Sequence, residues 1–239
     1  MPDFSVSVSS AEKRRLEEFL EALRTPCKVN LNPASFLAGG QFEAEFRSKL
    51  LAHHCFIGSP LFQQSFDSAF VSSCISAGLD VEQAPSGQRF WDLKLQGRRV
   101  SLKSTMAKSL RAETLHISKL TEAAWIQDCR SATKRQSLTF ELFDAYCNEV
   151  DAIVQLRYFK RERTYELVEV PVSLFSQVLK IEKKHFSSDG PTIKIPVGKE
   201  PPDFILKLDR SDAKITVTGI NKGLCLVHAT WRIQSGSST

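Results

Sequence analysis

The chain has 239 residues, 42% of them hydrophobic and 25% charged, with a formal net charge of +5. That length and mix support a buried core without staples and exclude collagen, wholesale disorder and miniature disulfide scaffolds. No apolar run approaches the roughly 18 residues that span a bilayer, and the opening MPDFSVSVSSAEKRR lacks the basic, apolar and small-residue succession of a secretion signal; the expected compartment is the cytoplasm, with no membrane partner.

In chain order, Ser9-Ser10-Ala11-Glu12 spells a capping box, followed by Leu16, Phe19, Leu20 and Leu23 at helical spacing and ended by Thr25-Pro26. Residues 27–40, with Asn, Pro and Gly-Gly, read as loop. Residues 41–53 form a second amphipathic helix, broken by Gly58-Ser59-Pro60, and Pro60 opens a third that runs to about Gly78. Its Phe62, Phe66 and Phe70 stripe is core. Beyond Gly78 the period changes to alternation. Residues 90–95 and 99–103 predict a hairpin turning at Gln96-Gly97, and 114–118 a third strand. Helical pattern returns over 120–128 and 138–149. Strands follow at 152–157 and 165–170, joined by Lys160-Arg161-Glu162-Arg163, then at 192–197, 204–208, 214–218 and 224–233, with a frayed tail at 236–239. The order predicts one domain of the α/β or α+β class.

Several chemistries find no support. The six cysteines (27, 55, 74, 129, 147, 225) are scattered with no CxxC pair and read as buried free thiols. His53-His54-Cys55 are adjacent, so their side chains diverge and cannot easily share one zinc ion. There is no GxxxxGK[ST], no GxGxxG and no nucleophile elbow.

Charge is distributed unevenly. Between residues 89 and 111 lie seven cations (Arg89, Lys94, Arg98, Arg99, Lys103, Lys108, Arg111) and one acid, Asp92. Asp92 falls on the first hairpin strand and Ser101-Leu102-Lys103 on the second, and strand alternation puts Ser101 and Lys103 on one face. The pattern Asp92-x8-Ser101-Leu102-Lys103 resembles the PD-(D/E)xK nucleases, with Trp91 standing for the proline and Ser101 for the second acid. Phe90-Trp91-Asp92, Ser101-Leu102-Lys103-Ser104-Thr105, Leu115-His116-Ile117-Ser118-Lys119-Leu120 and Tyr165-Glu166-Leu167-Val168-Glu169-Val170-Pro171 together resemble a family of bacterial type II restriction endonucleases, from about residue 40 to 232.

The resemblance implies a central mixed sheet flanked by helices, divided into N-terminal helices (1–58), a catalytic core (59–171) and a β-rich C-terminal lobe (172–239). It implies Mg2+-dependent cutting of double-stranded DNA to 5′-phosphate ends by a homodimer, alongside a cognate DNA methyltransferase. Asp92 and the Leu102 carbonyl would hold the ion, and Lys103 would orient or deprotonate the water or stabilise the charged phosphorane. The missing acid would come from the preceding helix at Asp67, or else from Glu43.

A more literal match, Pro202-Asp203-x8-Asp212-Ala213-Lys214, lacks the helices this fold needs before its first strand and after its second; Asp209 to Asp212 reads as a turn. Expected DNA contacts are His116, Ser118 and Lys119, where the third strand should enter a helix, then Lys134 and Arg135, Arg161 and Arg163, with Lys207, Arg210, Lys214 and Lys222 on the C-terminal lobe. Two rivals stand: a monomeric nicking or repair endonuclease of the same superfamily, and a non-enzymatic DNA-binding protein.

Overall fold

Helix α1 (Ser10–Arg24) starts as its capping box predicts: Ser9 Oγ accepts the Glu12 N–H at 3.3 Å and the Glu12 carboxylate takes the Ser9 N–H at 2.8 Å. The computed structural model describes residues 8–37 and 39–234, so the expected tail at 236–239 and the first seven residues of the leader reading lie outside the described residues. The remaining long helices are α2 (Gly40–Leu51), α3 (Gln63–Ser76) and α4 (Ala132–Glu149). Helix α2 runs on into a π-helical turn over Ala52–Ile57, stopped by Gly58 at φ +79°, a left-handed value that glycine adopts without strain. Helix α3 begins three residues later than Pro60 suggests.

Among the described residues eleven strands form two sheets. The larger has the order β1-β11-β7-β6-β4-β3-β2, built from β1 (Cys27–Leu31), β2 (Val81–Gln83), β3 (Leu93–Leu95), β4 (Arg98–Thr105), β6 (Ala152–Phe159), β7 (Thr164–Pro171) and β11 (Leu226–Ile233). Only β4 and β6 pair in parallel among the described residues, which makes the sheet mixed. The smaller sheet, β5-β10-β9-β8, joins β5 (Thr114–Glu122) to β8 (Thr192–Val197), β9 (Phe204–Asp209) and β10 (Lys214–Asn221).

One face of the large sheet buries Leu102, Val154, Leu156 and Trp231 under the phenylalanine stripe of α2 and α3, including Phe46, Phe66 and Phe70. The other buries Ile153, Val168 and Val170 under α4 and the small sheet. Successive residues of β6 and β7 go to opposite faces, and both strands are buried on both sides; besides apolar side chains they bury Gln155, Arg157, Glu166 and Glu169.

The structure corrects the sequence reading at three points. Residues 27–31, expected as loop, are an edge strand whose partner, β11, lies about 200 positions downstream. Residues 120–128 are not a helix: β5 continues to Glu122 and only Ala124–Ile126 makes a short 3-10 turn, because the pairing of Thr121 and Glu122 with β10 outweighs local helical spacing. The C-terminal strands divide between the sheets, β11 returning to the large one. All six cysteines are free thiols.

Candidate active site

The hairpin that carries the site turns at Gln96 and Gly97, both at positive φ (+52° and +76°), as a tight two-residue loop requires. Strand β3 pairs with β4 only as far as Val100, whereas β4 continues to Thr105. Beyond Val100 the β3 side of β4 would expose bare peptide groups. Asp92, just ahead of β3, fills this gap: its N–H donates to the Val100 carbonyl (2.9 Å) and its carboxylate accepts the Leu102 N–H at 2.6 Å. The Leu102 carbonyl, on the same side of its residue as that N–H, opens on the same edge.

Ser101 joins the acid to the base. Its hydroxyl donates to Asp92 Oδ2 (3.2 Å) and accepts from Lys103 Nζ (2.8 Å). Ser101 is fully buried, beside a buried Tyr146 hydroxyl that lacks a well-formed hydrogen bond. Asp92 is exposed and Lys103 half-buried. Burial draws the Lys103 ammonium below the usual lysine range, against the opposing pull of Asp92 and Asp67.

Asp67 approaches from α3, whose first turn is pinned to β4 by the Gln63 N–H donating to Ser104 Oγ at 2.7 Å. Burial first, and then the Asp92 charge, push its carboxyl up to about 6. The Asp67 carboxyl, close enough to feel the Asp92 charge, together with Asp92 and an open carbonyl, is a donor set that fits a hard divalent cation. Among the described residues no group of three acidic, histidine or cysteine side chains converges as a metal cluster, so backbone oxygen and water would complete the shell. Glu43 is engaged elsewhere: it accepts from Trp231 Nε1 (3.3 Å) and pairs with Arg47 (3.4 Å). Its partner strand β11 is three strand spacings from β4, about 14 Å.

The literal C-terminal motif does not assemble. Lys214 pairs with Asp212 at an exposed turn, while Asp203 lies opposite Asn221, seven residues or roughly 23 Å along β10.

The basic segment is sorted by its pairings. Lys94 goes to Glu82, Arg98 to Glu169 and Arg99 to Asp151. Arg89, Lys103 and Lys119 instead line a cleft of about 660 Å³ with Gln88 and Thr121. Sequence reasoning missed Gln155, in register with Lys103 across the parallel pair; its amide donates to the His116 carbonyl (2.9 Å) and its Oε1 is buried without a partner. A polar residue inside the apolar run of β6 was the available signal.

His116 lies on strand β5 rather than at a helix entrance; its carbonyl receives the Gln155 amide, and the residue lines a separate pocket with Arg111 and Thr218. Burial and the charges of Lys207 and Lys214 hold its imidazole below the usual range. Ser118 and Lys119 are exposed, Lys119 within 2.6 Å of Glu122. Lys134 is exposed at the start of α4. Arg135 is not available to DNA: it is 2% exposed and its guanidinium is consumed by the carbonyls of Cys129, Phe186 and Ser188 and by Asp189. Arg161 is exposed on the β6–β7 turn and Arg163 half-buried there, past Phe159, itself four residues or about 13 Å along β6 from Gln155.

Residues 8–233 match the family SmaI: Type II site-specific deoxyribonuclease. The type II restriction enzyme SmaI of Serratia marcescens is 27% identical over 199 residues, which span 78% of this chain and 77% of that one. A solved restriction endonuclease in complex with substrate DNA aligns with 90% of this chain and 81% of its own, at 14% identity and a TM-score of 0.30.

Proposed function

We propose, since the chain belongs to the SmaI family of type II site-specific deoxyribonucleases, that it cuts both strands of duplex DNA with Mg2+ as cofactor and leaves 5′-phosphate and 3′-hydroxyl ends. That it is an enzyme, a sequence-specific DNA endonuclease, follows from the family itself. The observation that carries the finer reading is the Asp92–Ser101–Lys103 bridge at the unpaired edge of β4, with Asp67 facing it.

A divalent cation held by Asp92, Asp67 and the Leu102 carbonyl would offset the charge on the phosphate and acidify water. The chain's own groups do the rest. Ser101 holds Lys103 beside the acid, and the Lys103 ammonium orients the attacking water and donates to the phosphate oxygen on which charge develops. As water oxygen bonds to phosphorus, the bond to the 3′ oxygen breaks and that oxygen takes a proton. Arg89 and Lys119, which line the cleft with Lys103, would meet phosphates, joined by His116, Ser118, Lys134, Arg161 and Arg163; the exposure of Ser118, Lys134 and Arg161 supports this reading. Two cuts on antiparallel strands suit a homodimer. Its substrate places it in the cytoplasm, where a methyltransferase of matching specificity would spare the cell's own DNA.

The test is incubation of the purified protein with a phage genome in Mg2+ and in EDTA. Discrete fragments are expected in Mg2+ alone, and Asp92→Ala should bind the DNA without cutting it. Cleavage in EDTA, or an unaffected Asp92→Ala, overturns the mechanism.

A further inference from the structure

Helix α1 is almost wholly exposed: of its fifteen residues only Ala22 is buried. Its apolar residues do not all face the molecule. Phe19 turns inward and meets Phe56 edge-on at 5.4 Å, but Leu16 (54% exposed), Leu20 (46%) and neighbouring Ile57 (59%) face water. Leu16 lines a groove of about 700 Å³ with Val8, Phe19 and Phe56, and Leu20 extends the apolar strip one helical turn beyond it. Contiguous apolar surface of this kind, rimmed by charge, marks an interface rather than a random exposure.

The charges on α1 say what the strip fits. Its first half carries three cations (Lys13, Arg14, Arg15) and one acid (Glu12); its second carries three acids (Glu17, Glu18, Glu21) and one cation (Arg24). A two-fold interface joins a patch to itself, so it demands self-complementarity. A helix positive at one end and negative at the other meets that demand only when paired antiparallel with its own copy. Leu16 then lies across from the other copy's Leu20, Arg15 comes near its Glu21, and the opposed helix dipoles add a small favourable contribution. A different acidic or basic partner would leave one half of the helix facing like charge.

We infer that the exposed face of α1 is the surface through which a second copy of this chain docks, helix against antiparallel helix. This rests on the reading of the protein as a double-strand cutter, since one chain carries a single Asp92–Lys103 site.

Sedimentation velocity of the full chain at micromolar concentration tests it, read beside cleavage of a supercoiled plasmid. The wild type should sediment as a dimer and convert plasmid to linear product. Leu16→Glu/Leu20→Glu, whose sites are already exposed, should halve the sedimenting mass and accumulate nicked circles, with an unchanged circular dichroism spectrum. Arg15→Glu should weaken the dimer, and Arg15→Glu/Glu21→Arg should restore it. A wild type that cuts but sediments as a monomer, or a Leu16→Glu/Leu20→Glu variant that stays dimeric, overturns the inference and leaves the nuclease reading standing. Dimerisation lost on substitution in a protein that never cuts DNA supports the interface while refuting the nuclease reading.

Discussion

Asp67→Asn should make the protein more stable and inactive at once. The Asp67 carboxyl is raised from its ordinary 3.8 to about 6, and two units correspond to about 3 kcal/mol against the charged form. Asp67 is only half-buried, and solvent screening reduces this to about 1 to 1.5 kcal/mol at pH 7. Between pH 3.8 and about 6 the folded chain binds more protons than the unfolded one. Stability is therefore lost as pH rises through that window, and the deficit is complete above it. An amide cannot ionise, so Asp67→Asn escapes the deficit. In EDTA at pH 7 the variant should melt about 2–6 °C above the wild type, and the gap should shrink to about a third at pH 4.5. The same variant loses a charged oxygen of the cation site and should not cut in Mg2+. Calorimetric melts at both pH values, with a cleavage assay on the same preparations, check both halves. An Asp67→Asn protein no more stable than wild type at pH 7, or one that cuts normally, refutes the placement of Asp67 against Asp92.

At limiting Mg2+ wild-type cleavage should fall as pH drops below about 6 and Asp67 gains its proton, and added Mg2+ should restore it because ion and proton compete for the carboxylate; an acid loss that Mg2+ does not relieve counts against Asp67 as an ion ligand. Lys103→Ala should lower the single-turnover rate by about 10² or more with DNA affinity retained, as expected for a group acting on developing charge, and equal losses in rate and binding would recast it as a clamp. Arg135→Ala should cost about 3 kcal/mol in urea melts, since it removes the donor that the Phe186 and Ser188 carbonyls share and one donor of the Cys129 carbonyl, while Asp189 stays exposed and paired with Arg210. Arg161→Ala should weaken DNA binding for every sequence alike and lower the salt slope by about one; a change confined to one sequence would make it a base reader.

The hairpin at 93–105 was legible because its signals are local: alternation on both arms and a two-residue turn between them. Asp92, Ser101 and Lys103 came with it, since a hairpin register is fixed by its turn. The pairing of β1 with β11 was not legible: Cys27–Leu31 does alternate apolar with polar, but the run is only five residues long, is followed by Asn, Pro and Gly-Gly, and finds its partner about 200 positions away. The basic run at 89–111 was visible as a count, but not its pairings: Arg98 and Arg99, as neighbours on a strand, point to opposite sides and find Glu169 and Asp151 there. Arg135 misled for the same reason: its three carbonyl partners lie on either side of it in sequence, and one residue type serves a phosphate or a buried carbonyl equally well. The role of Ser101 as a bridge, rather than a weakened acid, needed coordinates.

The interlock of β1 with β11 bears on how the molecule is made. During synthesis, the hairpin holding Asp92 and Lys103 leaves the ribosome long before residues 226–233, and until those arrive β1 has nothing to zip onto and β7 shows a raw margin. The first and last of these strands are thus joined as the final stitch, and the nascent chain carries Asp92 and Lys103 on a sheet that is not yet sewn shut.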